Sequence, residues 1–244
     1  MKSILALWAH PRARSSAVGR MIYERGDFCV KDEPFVGYYY FSDERISERR
    51  VDVEPNAKYR FEDILKNVLQ EAEYQGIFIK DHAYHIISRA DSVNLRHFRN
   101  TFLIRHPAQS LPSLYARMPD FTLQEAGYAE SFRLFELVRQ IEGMTPVVID
   151  ADDLVEKPES TIKAYCEAVG IPFIRRALDW SSGLPSALNA DWGGWYSHLE
   201  KSCGFARQSN PDYVAVEENA RTAQAYEYCL PFYRRLYEHR LRIP

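Results

Sequence analysis

Two short segments carry the residue types best suited to chemistry. The first, Trp8-Ala9-His10-Pro11-Arg12-Ala13-Arg14-Ser15-Ser16-Ala17, leaves an apolar run and opens a helix-like pattern. The second, Thr101-Phe102-Leu103-Ile104-Arg105-His106-Pro107, is another apolar run ending in Arg105, with Ser113 eight residues further on. A strand that turns into a helix through cations and small hydroxyl residues is a ready anion site, because the first amides of a helix lack partners and its dipole favours negative charge. Two such sites in one α/β chain point to a ligand with two phosphates. The sequence contains neither G-x-x-x-x-G-K-[ST] nor G-x-G-x-x-G, so a generic ATPase loop and a dinucleotide turn both lose weight. Taken alone, Arg12 and Arg14 would be ordinary surface charges; their place between a buried strand and paired serines makes them ligand candidates.

The elements that must position these residues alternate. Ser3 to Ala9 reads as a buried strand, followed by a helix that Ser15 or Ser16 can cap and Gly26 can stop. Residues 27–30 form a second short strand, and 36–60 an aromatic, charged excursion or lid. Amphipathic spacing predicts a helix over 61–74, a buried strand over 76–80 and a helix over 85–95. A strand over 100–105, a helix over 107–115 and a long helix over 122–141 come next. They are followed by a strand over 146–150 and a helix over 158–169 closed by Gly170. Parallel βαβ units follow from that alternation: an α/β three-layer sandwich with a central parallel sheet and ligands at the carboxyl ends of its strands. Beyond Pro172 the regularity fades into a loop around Gly193-Gly194 and a helical segment over 217–239 interrupted at Pro231. The expectation is one domain over 1–244, with 173–244 as its C-terminal loop and helical segment.

Composition narrows the class. At 244 residues and 46% hydrophobic, the chain is an ordinary globular protein, and a net charge of −3 argues against broad nucleic-acid binding. The local cations must then serve a small anion. The four cysteines are scattered without a CxxC pair, which fits neither a zinc site nor a disulfide framework. No apolar run approaches the roughly 20 residues of a membrane span, and no leader pattern is evident. A soluble, cytoplasmic protein is expected.

These segments resemble sulfotransferases that use 3′-phosphoadenosine 5′-phosphosulfate (PAPS), including bacterial-type members. That family carries a P-loop-like P-K-S-G-T-T-W loop after its first strand, over which Pro11 to Ala17 lies. Its 3′-phosphate site is an Arg at a strand end and a Ser eight residues later, matched by Arg105 and Ser113. Lys80-Asp81-His82 is similar to its K-T-H, and Gly194-Trp195-Tyr196-Ser197-His198-Leu199 to its G-D-W-K-N-H-F loop. The resemblance covers about residues 3 to 205 in four ordered segments. It departs at Arg12, which replaces the usual Lys with a guanidinium fork, and at Arg14, which replaces the loop Gly.

What the resemblance implies is a P-loop NTPase-like fold and transfer of the sulfuryl group from PAPS, leaving PAP, without a metal. The receiver would be a hydroxyl (or amine) of a small-molecule or carbohydrate acceptor. Arg12, Ala13, Arg14, Ser15 and Ser16 would hold the 5′-phosphosulfate, Arg105 and Ser113 the 3′-phosphate, and Lys80 would help neutralise the moving group. His82 or Glu33 would take the acceptor's proton. Trp192 and Trp195 would cover the adenine or anchor the C-terminal loop, and Tyr38 to Phe41 would line the acceptor pocket or pack as a lid. The structural alternative for Arg105 is to cap a neighbouring helix or to pair with Asp81 in a solvated bridge. Two other functions stay open at this point: a P-loop-related kinase, and a nucleotide-binding sensor or scaffold without turnover.

Overall fold

In the computed structural model, residues 3–188, 195–205 and 215–243 are described. Five parallel strands form one sheet: β1 (Ile4–Ala9), β2 (Cys29–Asp32), β3 (Ile77–His82), β4 (Arg99–Ile104) and β5 (Val147–Asp150), in the order β2-β3-β1-β4-β5. The helices are α1 (Ser15–Arg25), α2 (Val36–Phe41), α3 (Phe61–Glu71), α4 (Ala83–Ile86), α5 (Pro107–Tyr115) and α6 (Leu123–Ala126). They continue with α7 (Tyr128–Glu142), α8 (Ala151–Glu156), α9 (Pro158–Ala168), α10 (Ser197–Glu200) and α11 (Ala220–Glu238). Among the described residues no helix is long and apolar enough to cross a membrane.

Side-chain alternation along β1 builds the three layers. Ile4, Ala6 and Trp8 join Phe102, Phe135 and Leu236 on one face, while Leu5, Leu7 and Ala9 join Val18, Ile22 and Ile149 on the other. Both faces are buried, which is why β1 reads as an unbroken apolar run. Parallel registry then aligns the strand ends: Ala9 pairs with His82 on one side and Leu103 on the other, and Asp32 with Lys80. The chain moves from β1 to one side and returns to the other with β4. Ligands favour the carboxyl edge at such a reversal.

Several local expectations change. The second strand begins two residues later than read, so Asp32 ends it and Glu33 lies just past the edge. The 36–60 excursion opens with a helix whose Tyr38, Tyr39 and Tyr40 are buried, so aromatic packing organises its first turn. Gly37 admits the Tyr59 ring there, since a Cβ would sit 2.6 Å from it. The helix expected over 85–95 is not continuous: α4 ends at Ile86, and the Asp91 carboxylate accepts from the amides of Val93 and Asn94, a local turn that competes with a helix.

The helix expected over 122–141 divides into α6 and α7 at Gly127, whose φ is 78°. A Cβ at Gly127 would lie 3.2 Å from both His10 and Pro11, so this break lets the helix pair approach the loop after β1. Pro231 does not interrupt α11, which runs unbroken through it. Pro231 and Glu227, whose carbonyl loses its helical donor, are both exposed, so water can satisfy the group. The loop at Gly193-Gly194 and Trp192 lie outside the described residues.

Candidate active site

The loop after β1 is held open in a shape few side chains adopt. Arg12 and Arg14 have φ of 63° and 69°, and Arg14 is the N-cap residue of α1 without a side-chain cap bond. Left-handed backbone at a non-glycine residue costs about 1–2 kcal/mol. The surrounding bonds hold it: Ala13 N–H donates to the His10 carbonyl at 3.3 Å, and Ala13 itself is fully buried beneath the loop. The result presents Arg12, Arg14, Ser15 and Ser16 together at the start of α1, where unpartnered helix amides and the dipole attract an anion.

A second set of bonds ties this loop to the end of β4. His10 Nδ1 meets the Pro11 carbonyl at 3.0 Å, and its Nε2 accepts from the Arg105 amide at 3.0 Å. Burial lowers the His10 pKa to about 3, which keeps the ring neutral and able to accept there. The Arg105 guanidinium donates to the Arg12 carbonyl at 2.9 Å and to Gln109 at 3.1 Å, and the Arg105 carbonyl accepts from Tyr128 at 2.8 Å. It makes no pair with Asp81, which is buried and engaged elsewhere. Arg12 Nε donates to Ser113 Oγ at 2.8 Å, and its guanidinium also bonds the Trp195 carbonyl while lying 5.7 Å from the Trp195 ring centroid. The two candidate anion loops are therefore neighbours joined through Arg12, Arg105 and His10.

Beyond β2 and β3 sits a buried charge cluster. Lys80 Nζ, 1% exposed, lies 2.7 Å from Asp32 Oδ1 and 2.6 Å from Glu33 Oε1. Burial works against the Lys80 charge, but the two carboxylates outweigh it and raise its pKa well above the lysine range. Tyr196 from the C-terminal segment donates to Asp32 and lies 3.5 Å from Lys80 Nζ. Glu33, with φ of 49°, also faces His82 Nε2 at 3.3 Å. Burial pushes its carboxyl up, yet Lys80 and His82 prevail and hold it well below the usual carboxylate range.

Most of these groups face one cleft of about 1370 Å³, lined by Arg12, Arg14, Ser15, Ser16, Glu33, Lys80, His82, Arg105, Ser113 and Trp195 among others. Tyr40 of the excursion reaches it, whereas Tyr38 and Tyr39 pack in the interior. The cleft is strongly cationic at its floor: desolvation and then the nearby Arg14 bring the Arg105 pKa down to about 10, with Arg12 adding to the repulsion. Like charges gathered in a concave, partly buried place are stabilised by an anion. No group able to hold a metal ion occurs among the described residues.

Sequence reasoning did not single out Asp32, His10 or Tyr196. Asp32 adjoins Glu33 at a strand end, and its signal was a second carboxylate opposite a buried lysine. His10 and Tyr196 lie within quoted motifs, but their contacts span 95 and 164 positions along the chain.

A sulfotransferase-domain family model matches residues 1–239, and the chain belongs to that family. Among curated proteins, it is 28% identical to branched-chain-amino-acid aminotransferase-like protein 2 of Arabidopsis thaliana, over 94% of this chain and 40% of the relative. It is 30% identical to the sulfotransferase ppzF of Metarhizium majus over 33% of this chain and 29% of the relative. The chain thus spans well under two thirds of the length of these relatives. In fold it is similar to the sulfotransferase domain of the Synechococcus PCC 7002 olefin synthase, with TM-score 0.57 and 18% identity over 93% of this chain and 95% of that one. It is also similar to mouse sulfotransferase SULT7A1 complexed with PAP, with TM-score 0.52 and 12% identity over 98% of this chain and 88% of that one.

Proposed function

We propose that this protein is a PAPS-dependent sulfotransferase acting on a hydroxyl (or amine) of a small-molecule or carbohydrate acceptor, and that 1–244 works as one domain. The observation that carries this reading is the meeting of Arg12, Arg14 and Arg105 with the start of α1 in the same cleft as the Glu33–His82 pair. Arg12, Arg14, Ser15 and Ser16 would face the 5′-phosphosulfate, and Arg105 with Ser113 the 3′-phosphate. Trp195, held against Arg12, would close the nucleotide side.

In the transfer, the acceptor oxygen forms a bond to sulfur as the bond from sulfur to the 5′-phosphate oxygen breaks. PAP leaves with the negative charge, which the guanidiniums and helix amides stabilise. The acceptor's proton passes to the Glu33–His82 pair, whose two members share one hydrogen-bond contact, and from there to solvent. Lys80 is engaged by Asp32 and Glu33, so its part is to hold the Glu33 carboxylate rather than to meet the moving group first.

Calorimetry with PAP tests the nucleotide assignment, and incubation with PAPS and a panel of hydroxyl acceptors tests the transfer. Binding of PAP with a much weaker response to AMP is expected, because AMP lacks the 3′-phosphate. Glu33→Gln and His82→Gln should each lower turnover by about 10²–10⁴ while PAP still binds. A protein that ignores PAP at high micromolar concentration overturns the reading, and one that binds PAP but sulfates nothing is a sensor instead.

A further inference from the structure

The Glu33–His82 pair stands on a third residue that the proton transfer itself does not use. Asp81 is fully buried, and both its oxygens are occupied by donors. Its Oδ1 accepts from the His82 amide at 2.7 Å and from His85 Nδ1 at 2.6 Å, while its Oδ2 accepts from the Phe35 amide at 2.8 Å. Phe35 lies two residues beyond Glu33, across Pro34. One carboxylate thus grips the backbone beside each member of the pair, on two different strand ends.

That grip has something to hold. Glu33 sits in the left-handed region at φ 49°, where a side chain with a Cβ is strained. Its own amide donates to the Lys80 carbonyl at 2.7 Å, and the Phe35 amide two residues on is fixed by Asp81. His85 completes the support from α4. Its Nδ1 faces Asp81, its ring is fully buried, and its centroid lies 5.3 Å from that of His82. His85 also contributes to holding the Glu33 carboxyl low, behind Lys80 and His82.

We propose that Asp81, with His85 as its side-chain donor, is a positioning residue that sets the spacing of Glu33 and His82 for proton removal. This rests on the sulfotransferase reading above. A carboxylate can only accept, and all three contacts are donors, so an amide in its place must set an N–H₂ group against at least one N–H. Misplacing a reacting group by about 1 Å can cost about a hundredfold in rate. The nucleotide loops after β1 and β4 make none of these bonds and should be indifferent to the change.

The test compares the wild type with Asp81→Asn, His85→Phe and His85→Asn, the last of which returns an N–H donor toward Asp81. PAP affinity is read by calorimetry, turnover as PAP released from PAPS with the acceptor that the wild type uses, and local order by amide hydrogen exchange. Asp81→Asn should lower kcat about a hundredfold with PAP affinity within about twofold. Exchange should quicken at the His82 and Phe35 amides but not at Leu7 or Trp8 of β1. His85→Phe should lose kcat and His85→Asn should recover most of it.

Wild-type kcat in Asp81→Asn, or turnover and PAP affinity lost together, overturns the proposal, as does equal loss in both His85 variants. If Asp81→Asn does not fold, the contrast between the two His85 variants decides. A wild-type protein that neither binds PAP nor releases it from PAPS defeats the parent reading instead, and is recognised before any variant is made.

Discussion

Replacing Lys80 by Met keeps the apolar stem and removes the ammonium, its charge and its N–H donors together. In the wild type its ammonium lies 2.7 Å from Asp32 and 2.6 Å from Glu33, with Lys80 and Asp32 side chains each 1% exposed and Glu33 15%. Removing one partner from such a group leaves buried charge uncompensated, which costs about 3–5 kcal/mol. At about 2–4 °C per kcal/mol for a chain of this size, the midpoint of thermal unfolding should fall by about 6–20 °C. The pH dependence is the sharper test. In the wild type the depressed Glu33 carboxyl contributes stability that is complete above its unfolded pKa of about 4.3 and is lost as pH falls through its folded value.

Without Lys80, burial, already the largest single influence on Glu33, is opposed only by His82 and His85, and the folded pKa rises. The folded variant then holds a proton that the unfolded chain releases, so its stability declines as pH climbs past about 4. The gap between the two proteins should be narrowest in acid below the folded value of Glu33, already open by pH 4.5, and widest near pH 8. Denaturant melts across that range measure it directly. A gap below about 1 kcal/mol, or one of constant size at every pH, would refute the claim that Lys80 neutralises buried carboxylates here.

Arg105→Gln should weaken PAP about 10- to 100-fold, the worth of a charge-assisted hydrogen bond, while AMP affinity barely changes; equal losses for both ligands would place Arg105 away from the 3′-phosphate. Asp150, whose pKa burial raises to about 6, binds a proton in the folded state that the unfolded chain releases above about pH 3.9. Its contribution therefore falls as pH rises toward 6, and Asp150→Asn should be more stable than the wild type by about 1–3 kcal/mol at pH 7.5 but not at pH 4. Unfolding curves at the two pH values decide it. Arg49 makes a bidentate pair with the buried Glu125 at 2.7 Å and reaches Asp120. Arg49→Ala should cost about 1–3 kcal/mol and speed proteolysis within 42–56, and unchanged cleavage there would show that other contacts pin the excursion.

The strands, and with them the sheet, were legible because β1, β3 and β4 are buried on both faces and leave short apolar runs ending at Pro, Gly or charge. The candidate anion loops stood out for the same reason: Arg105 directly follows such a run, and Arg12 and Arg14 follow one within five residues. Helix ends were less so. Gly127 splits a strongly periodic stretch because His10 and Pro11 press against it, and Asp91 stops a helix through its own side chain. Neither cause has a periodicity to read. The charge cluster was half legible, since Glu33, Lys80 and His82 each adjoin a strand end but nothing in the sequence joins them. Their pairing depends on the order of strands, which puts β3 between β2 and β1. Tyr196 and Asp81 act through contacts that only the folded chain creates.

Among the described residues, positive φ at a side-chain-bearing position occurs three times, at Arg12, Arg14 and Glu33, and every one borders the cleft. Glycine would be more comfortable at each of them. Heat resistance and ligand recognition thus pull the same codons in opposite directions. A laboratory selection that rewarded only survival at high temperature would enrich glycine in place of Arg12 and Arg14, though not of Glu33, on which the buried Lys80 leans, and the survivors would be sturdier molecules stripped of two of the cleft's cations.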